Sequence, residues 1–140
     1  MNFNKQFQKL TKDQIEYDVE KSIVYLSLRI IVGLIFVYHG INKFGNKTKL
    51  DNWKKFIQSQ NLPSWMALTS AIVEVVIGMM LILGSYIKLS SIAGIAFMIV
   101  ALYLGHRNDK HLPIYQLSII FMLVILFFTG PGKFQLISYL

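Results

Sequence analysis

ALTSAIVEVVIGMMLILG, residues 67–84, decides the fold. It is an apolar run of the length that crosses a bilayer, since a hydrocarbon core about 30 Å thick needs roughly 20 helical residues. It carries one full charge, Glu74, near its middle. A second run, Ser22–Ile41, holds a full charge of opposite sign, Arg29. An ionisable side chain inside a transmembrane helix is expensive, and it faces a partner, a cavity or a site. The role of Glu74 therefore depends on what meets it.

The rest of the chain extends the membrane reading. Apolar runs recur at about Ser22–Ile41, Trp65–Gly84, Lys88–Gly105 and Pro113–Thr129. With 54% hydrophobic residues in 140 and a mean hydropathy of +0.51, the chain has more apolar surface than a soluble domain of this size needs. A net charge of +7 does not signal nucleic acid, because the Lys and Arg residues lie mostly outside the spans, where they suit anionic lipid headgroups. The absence of cysteine excludes disulfides, thiol redox chemistry and Cys-ligated clusters within the chain. The first span starts too late and runs too long for a signal-peptide core, and it has no small-residue cleavage pattern. It reads as a retained helix.

Residues 1–21 form a polar tail with four Lys and four acidic residues, and residues 22–140 form the membrane domain. Thr11-Lys12-Asp13-Gln14 has the form of a capping box, so the first helix is predicted to start near Lys12 and enter the membrane unbroken. Phe3, Phe7 and Leu10 are spaced as a short amphipathic segment ahead of it. The connection Asn42–Pro63 is the longest. Within it Leu50, Trp53 and Ile57 line one face while Lys49, Lys54 and Lys55 cover the rest, the pattern of an interfacial helix with Trp53, Lys54 and Lys55 as its anchor. Ser85-Tyr86-Ile87 turns between the second and third spans, and Gly130-Pro131-Gly132 ends the fourth. The predicted fold is an all-α membrane protein: an antiparallel four-transmembrane-helix bundle with a short interfacial amphipathic helix in the first loop. Orientation stays open, with six Lys on the side of the termini against seven Lys and Arg on the other.

The antiparallel arrangement predicts that Arg29 and Glu74 meet. Arg29 lies about 18 Å below Ile41, and Glu74 about 14 Å past Trp65, a mismatch an extended Arg side chain spans. Such a pair either only neutralises itself and fixes helix register or is part of a site; both readings stand. Arg29, Gly33, Phe36 and Gly40 share a helix face, and Gly78 lies one turn from Glu74. Gly33, Gly40 and Gly78 allow close approach of another helix or a flat ligand. His39 and Lys43 occupy a neighbouring stripe at the membrane edge. A carboxylate, a guanidinium, an imidazole and an ammonium beside thinned helices are suited to the oxygens of a quinone-like head group or to proton relay. His39, His106 and His111 could gather at one membrane edge, but no metal or haem motif accompanies them, and no metal site and no catalytic residue is assigned.

Leu28-Arg29, Gly33, Phe36 and His39-Gly40-x-x-Lys43-Phe44, then Phe56-Ile57, Leu62-Pro63, Glu74-x-x-x-Gly78, Leu83-Gly84 and Gly130-Pro131-Gly132-Lys133-Phe134, resemble in order and spacing the DoxX family of small four-helix membrane proteins. The resemblance covers about residues 23–136. Such proteins often continue Ser-Leu-Asp after the Gly-Pro-Gly-Lys-Phe stop; here Gln135-Leu136-Ile137 stands instead. The resemblance implies an integral, multi-pass protein of a prokaryotic plasma membrane, associated with oxidoreductases such as thiosulfate:quinone oxidoreductase and terminal quinol oxidase. Two functions follow. In one the chain is an accessory, non-catalytic subunit that stabilises or assembles a larger oxidase- or monooxygenase-type complex. In the other it binds quinone or quinol and takes part in electron transfer. The first is favoured, because a quinone reaction needs an electron donor and the sequence offers no Cys, no haem-ligand pair and no nucleotide loop. The expected partners are larger integral membrane subunits and membrane lipids, with no nucleic acid. The expected cofactors are none held by this chain alone, with quinone and lipid as candidate ligands.

Overall fold

The computed structural model describes residues 3–106 and 114–130, and all secondary structure among them is helical. Five helices follow in order: α1 (Phe3–Phe44), α2 (Lys47–Ser59), α3 (Trp65–Leu83), α4 (Ile87–His106) and α5 (Ile114–Thr129). Segments Gln14–Phe44, Trp65–Leu83 and Ile87–Gly105 are long and apolar enough to cross a membrane, and α5 is a shorter apolar helix.

α1 differs from its predicted form. It is one helix of 42 residues, about 63 Å long, and Thr11 lies inside it rather than capping it. The local capping signal loses because the residues on both sides of Thr11 are good helix formers and no Gly or Pro interrupts them. The helix is about twice as long as a hydrocarbon core is thick. Its stretch ahead of the bundle is exposed, with Ile15, Tyr17 and Val19 open. Lys21 places its ammonium 4.0 Å from the centre of the Tyr17 ring, a cation–π contact one turn apart.

α2 starts at Lys47. Asn46, in an extended conformation, caps it and accepts a hydrogen bond from the Thr48 backbone N–H at 3.0 Å. This is the ordinary N-cap geometry of an Asn. α2 then folds back on α3, burying Ile57.

α1 and α3 form the tightest pair. They run antiparallel, since Gly33 packs against Gly78 and Ile82 while Gly40 packs against Ala71 and Val75. Backbone meets backbone along this seam. A Cβ on Gly78 would stand 2.6 Å from the Gly33 carbonyl oxygen, and one on Gly33 would stand 2.8 Å from that of Gly78. In a bilayer helices gain little from excluding lipid, so close van der Waals contact at small residues is what holds such pairs. On one side of the seam α4 and α5 close the core. Val32 and Phe36 of α1, Ile77 and Leu81 of α3, Ile87 and Met98 of α4, and Ile119, Leu123 and Leu126 of α5 are buried together. Outward positions are also apolar: Ile31, Leu34, Val76, Ile92 and Phe121 are all half exposed or more, as lipid-facing residues are.

Candidate functional site

Glu74 is buried on α3, 4% exposed, and its partner is Lys43. Lys43 Nζ donates to Glu74 Oε1 at 2.8 Å. The predicted Arg29–Glu74 pair does not form, and the reason lies in side-chain direction. In a helix Cα–Cβ bonds tilt towards the N-terminus. Lys43, near the end of α1, therefore leans back into the bundle, and Glu74 on antiparallel α3 leans towards it. Arg29 leans in the same sense as Lys43 and so away from Glu74. Its guanidinium rests against Gly84, where an added Cβ would lie 2.7 Å from Nη1. Gly84 is the C-cap of α3, left-handed at φ 77°, with its N–H on the carbonyls of Met80 and Leu81. The cation thus sits at the negative end of the α3 dipole. Glu74 is ten positions before Gly84, about 15 Å along the helix. The depth count failed because Ile41 and Trp65 do not lie level: Gly33 packs against Gly78 and Ile82, and Gly40 against Ala71 and Val75, a register about two turns away from the one counted.

The ion pair has an aromatic lid. Lys43 Nζ lies 4.2 Å from the centre of the Trp53 ring and 5.8 Å from that of Phe97. The Trp53 indole N–H donates to Ser70 Oγ at 3.1 Å, and its ring stacks on Phe56 with centroids 5.1 Å apart. Trp53 therefore turns towards α3. Of the two lysines predicted beside it, Lys54 lies 3.6 Å from Asp51 and Lys55 is exposed. The difference follows from the indole N–H, which finds its acceptor on α3, one turn before Glu74.

His39 extends the site on the α5 side. Its Nε2 shares a hydrogen bond with the Tyr115 hydroxyl, and the two rings meet edge to face, 5.6 Å apart. Both groups lie within electrostatic range of the Glu74 carboxylate. His111 and the side chain of His106 lie outside the described residues, as do Lys133, the Pro131-Gly132 stop and the side chains of Phe3, Phe7 and Leu10. Among the described residues no cluster of potential metal ligands occurs.

Beside the ion pair is a cleft of about 560 Å³ between α2, α3 and α4. Trp53 and Phe56 form one wall, Ser70 and Glu74 a second, and Ala96 and Phe97 a third. Glu74 Oε2 has no hydrogen-bond partner among the described residues. A pocket that is mostly apolar, with a few convergent polar groups, is the usual form of a small-molecule site. Sequence reasoning missed Tyr115, Ser70 and Phe97. Ser70 was within reach of it, because it stands four residues before Glu74 and so shares its face. Tyr115 and Phe97 were not, because helix neighbours in space leave no mark in a single sequence.

Three long apolar helices carrying a buried ion pair define an integral membrane protein of the all-helical class. The match to the DoxX family spans residues 24–107, and the chain belongs to that family. Neither curated proteins nor solved structures give a match. The family is linked to oxidoreductase-related membrane functions. The matched segment contains Arg29, Lys43 and Glu74 and every wall of the cleft except Gln116.

Proposed function

We propose that this protein is a small accessory subunit, not itself catalytic, of a larger oxidase- or monooxygenase-type complex in a prokaryotic plasma membrane. The observation that carries this reading is the overshoot of α1. A lone helix is marginally stable in water and gains its stability from packing an apolar face. The stretch of α1 ahead of the bundle nevertheless holds Ile15 and Val19, one turn apart on the same face, exposed. A neighbouring subunit that covers this stripe supplies the missing packing, and the outward apolar faces of the spans serve lipid and partner helices alike. In this reading α5 crosses as the fourth span. Its 16 residues reach about 24 Å, and flanking residues or local thinning of the bilayer make up the difference. The bundle is then antiparallel throughout, with α2 lying at the interface.

The test is co-purification under mild extraction. Ile15→Glu with Val19→Glu keeps helix propensity and removes the stripe. The reading expects the variant to insert normally and to lose its co-migrating subunits. If the wild-type chain extracts alone, or the variant stays in the complex at full stoichiometry, the reading fails.

A second reading is favoured by the cleft. A lipid-soluble quinone or quinol would place its ring between Trp53 and Phe97 and its oxygens near Lys43 and Glu74. The two readings are compatible, since an accessory subunit can hold a ligand that its partners oxidise or reduce.

A further inference from the structure

The near tie in basic residues between the two sides of the membrane is broken by the length of α1. Its apolar run begins at Ser22, so Lys21 stands at the membrane edge. Because α1 is one unbroken helix, Lys12 lies about 14 Å further out along its axis. Lys9 and Lys5 lie further out again. The potential of a charged membrane surface falls off within a Debye length, about 8–10 Å, and these three positions are beyond it. Two lysines are left near the surface on that side: Lys21, with its ammonium over the Tyr17 ring, and Lys88 at the start of α4.

The opposite side keeps its lysines together. α1 ends at Phe44 and α2 begins at Lys47, and the Trp53–Ser70 hydrogen bond holds α2 against the start of α3. Ile57 is buried, and Leu50, Trp53 and Phe56 are half-buried, whereas Lys47, Lys49 and Lys55 are exposed and Lys54 is half-exposed. α2 has 13 residues, so these four ammonium groups lie within about 20 Å along its axis. Lys49 Nζ donates to Asn42 Oδ1 at 2.9 Å, a neutral partner that leaves its charge in place. Lys54 stands 3.6 Å from Asp51, and an exposed pair of this kind is weak. Lys43 does not join them, because Glu74 turns it into the bundle.

We infer that the lysine face of α2 docks on the anionic phospholipid headgroups of the cytoplasmic leaflet and so orients the chain, with α2 inside and the overhang of α1 outside. The inference rests on the membrane placement and the partner-covered stripe proposed above, and adds the side on which each stands. Headgroup phosphates complement a cluster of ammonium groups, and the cytoplasmic leaflet carries a negative surface potential. Lysine stems lie along apolar surface while their heads reach the phosphates. Lys and Arg close to the spans set orientation, and acidic residues contribute little. Among the described residues, α2 holds four such lysines against Lys21 and Lys88 on the other side. The subunit that covers Ile15 and Val19 then does so on the outer face.

The chain has no cysteine, so a single introduced thiol reports its own side of the membrane. Glu20→Cys and Asn52→Cys, both at exposed positions, are made in the full chain and treated with a membrane-impermeant maleimide. Labelling in spheroplasts is compared with labelling in inverted vesicles, and the detergent-solubilised protein sets full labelling. Glu20→Cys is expected to label at least about tenfold more in spheroplasts, and Asn52→Cys at least about tenfold more in inverted vesicles, the worth of two lysines. Changing Lys47, Lys49, Lys54 and Lys55 together to Gln should bring the Glu20→Cys ratio to about one or invert it. In nanodiscs, a polarity-sensitive maleimide dye on Asn52→Cys should shift its emission to the blue when phosphatidylglycerol replaces phosphatidylcholine, and should lose that shift in the fourfold Gln variant. The reverse labelling pattern overturns the orientation and leaves the accessory-subunit reading to its co-purification test. An unchanged ratio in the fourfold variant overturns the lysine face as its cause. No dye shift in the parent overturns docking on anionic headgroups. Both thiols labelled from one side would mean that α1 does not cross, and the proposed membrane placement falls with it.

Discussion

The two faces of α3 are built on opposite plans. Towards α1 it presents Ala71 and Gly78, and the helices touch backbone to backbone at Gly33, Gly40 and Gly78. Towards α4 it presents Ser70, Val73 and Glu74, and a cleft of about 560 Å³ is left. Small residues occur on both sides, so size alone does not decide whether helices close. On the α1 side glycine faces glycine and nothing bulky intervenes. On the α4 side Trp53 and Phe56 of α2 wedge into the gap, and Lys43 reaches over the top to Glu74. The seam holds the fold, and the cleft is free to hold something else. Glu74 stands where the two faces meet.

Substitutions can break this contrast, and the largest effect is expected at the junction. Glu74→Leu strands the Lys43 ammonium in an apolar setting and should destabilise the protein by about 3–5 kcal/mol, read by thermal unfolding in detergent. A change below about 1 kcal/mol would mean the pair is already hydrated. Next comes the seam. Gly78→Leu forces a side chain into the Gly33 carbonyl and should lose about 3 kcal/mol or the inserted fold altogether. Gly84→Ala, at the left-handed cap beneath Arg29, should cost about 1–2 kcal/mol by the same assay from backbone strain. Trp53→Phe keeps the stack on Phe56 but loses the bond to Ser70, for about 1 kcal/mol. The smallest effect belongs to the cleft. Ala96→Leu enters open space and should stay within about 0.5 kcal/mol. If Ala96→Leu proves as damaging as Gly78→Leu, the two faces of α3 are not different in kind.

Much of this architecture was legible in the sequence, and the illegible part has a definite character. Apolar length located α3 and α4, and the Leu50, Trp53 and Ile57 stripe located α2, because burial and amphipathicity are properties of neighbouring residues. The face shared by Arg29, Gly33, Phe36 and Gly40 was also readable from helical spacing alone, and all four are buried. Partner choice was not. Arg29 and Glu74 are the charges nearest the middle of their spans, yet the tilt of side chains towards helix N-termini sends them apart and brings Lys43 in. Lys43 was visible as a membrane-edge residue, and only the register of α1 on α3 shows that it reaches back. Trp53 carried the composition of an interfacial anchor, and its turn towards α3 follows from a hydroxyl there within reach of its N–H. The length of α1 escaped because a local capping signal carries little weight against an uninterrupted run of helix formers.

The most direct test of the account is a pair of double-mutant cycles on thermal unfolding, one joining Lys43→Met with Glu74→Leu and the other joining Arg29→Leu with Glu74→Leu. The structure predicts a coupling of at least about 1 kcal/mol between Lys43 and Glu74, with the double variant more stable than Glu74→Leu alone, and additivity within about 0.5 kcal/mol for Arg29 and Glu74. Strong coupling of Glu74 to Arg29, with none to Lys43, would contradict the register of α1 on α3 and with it the site.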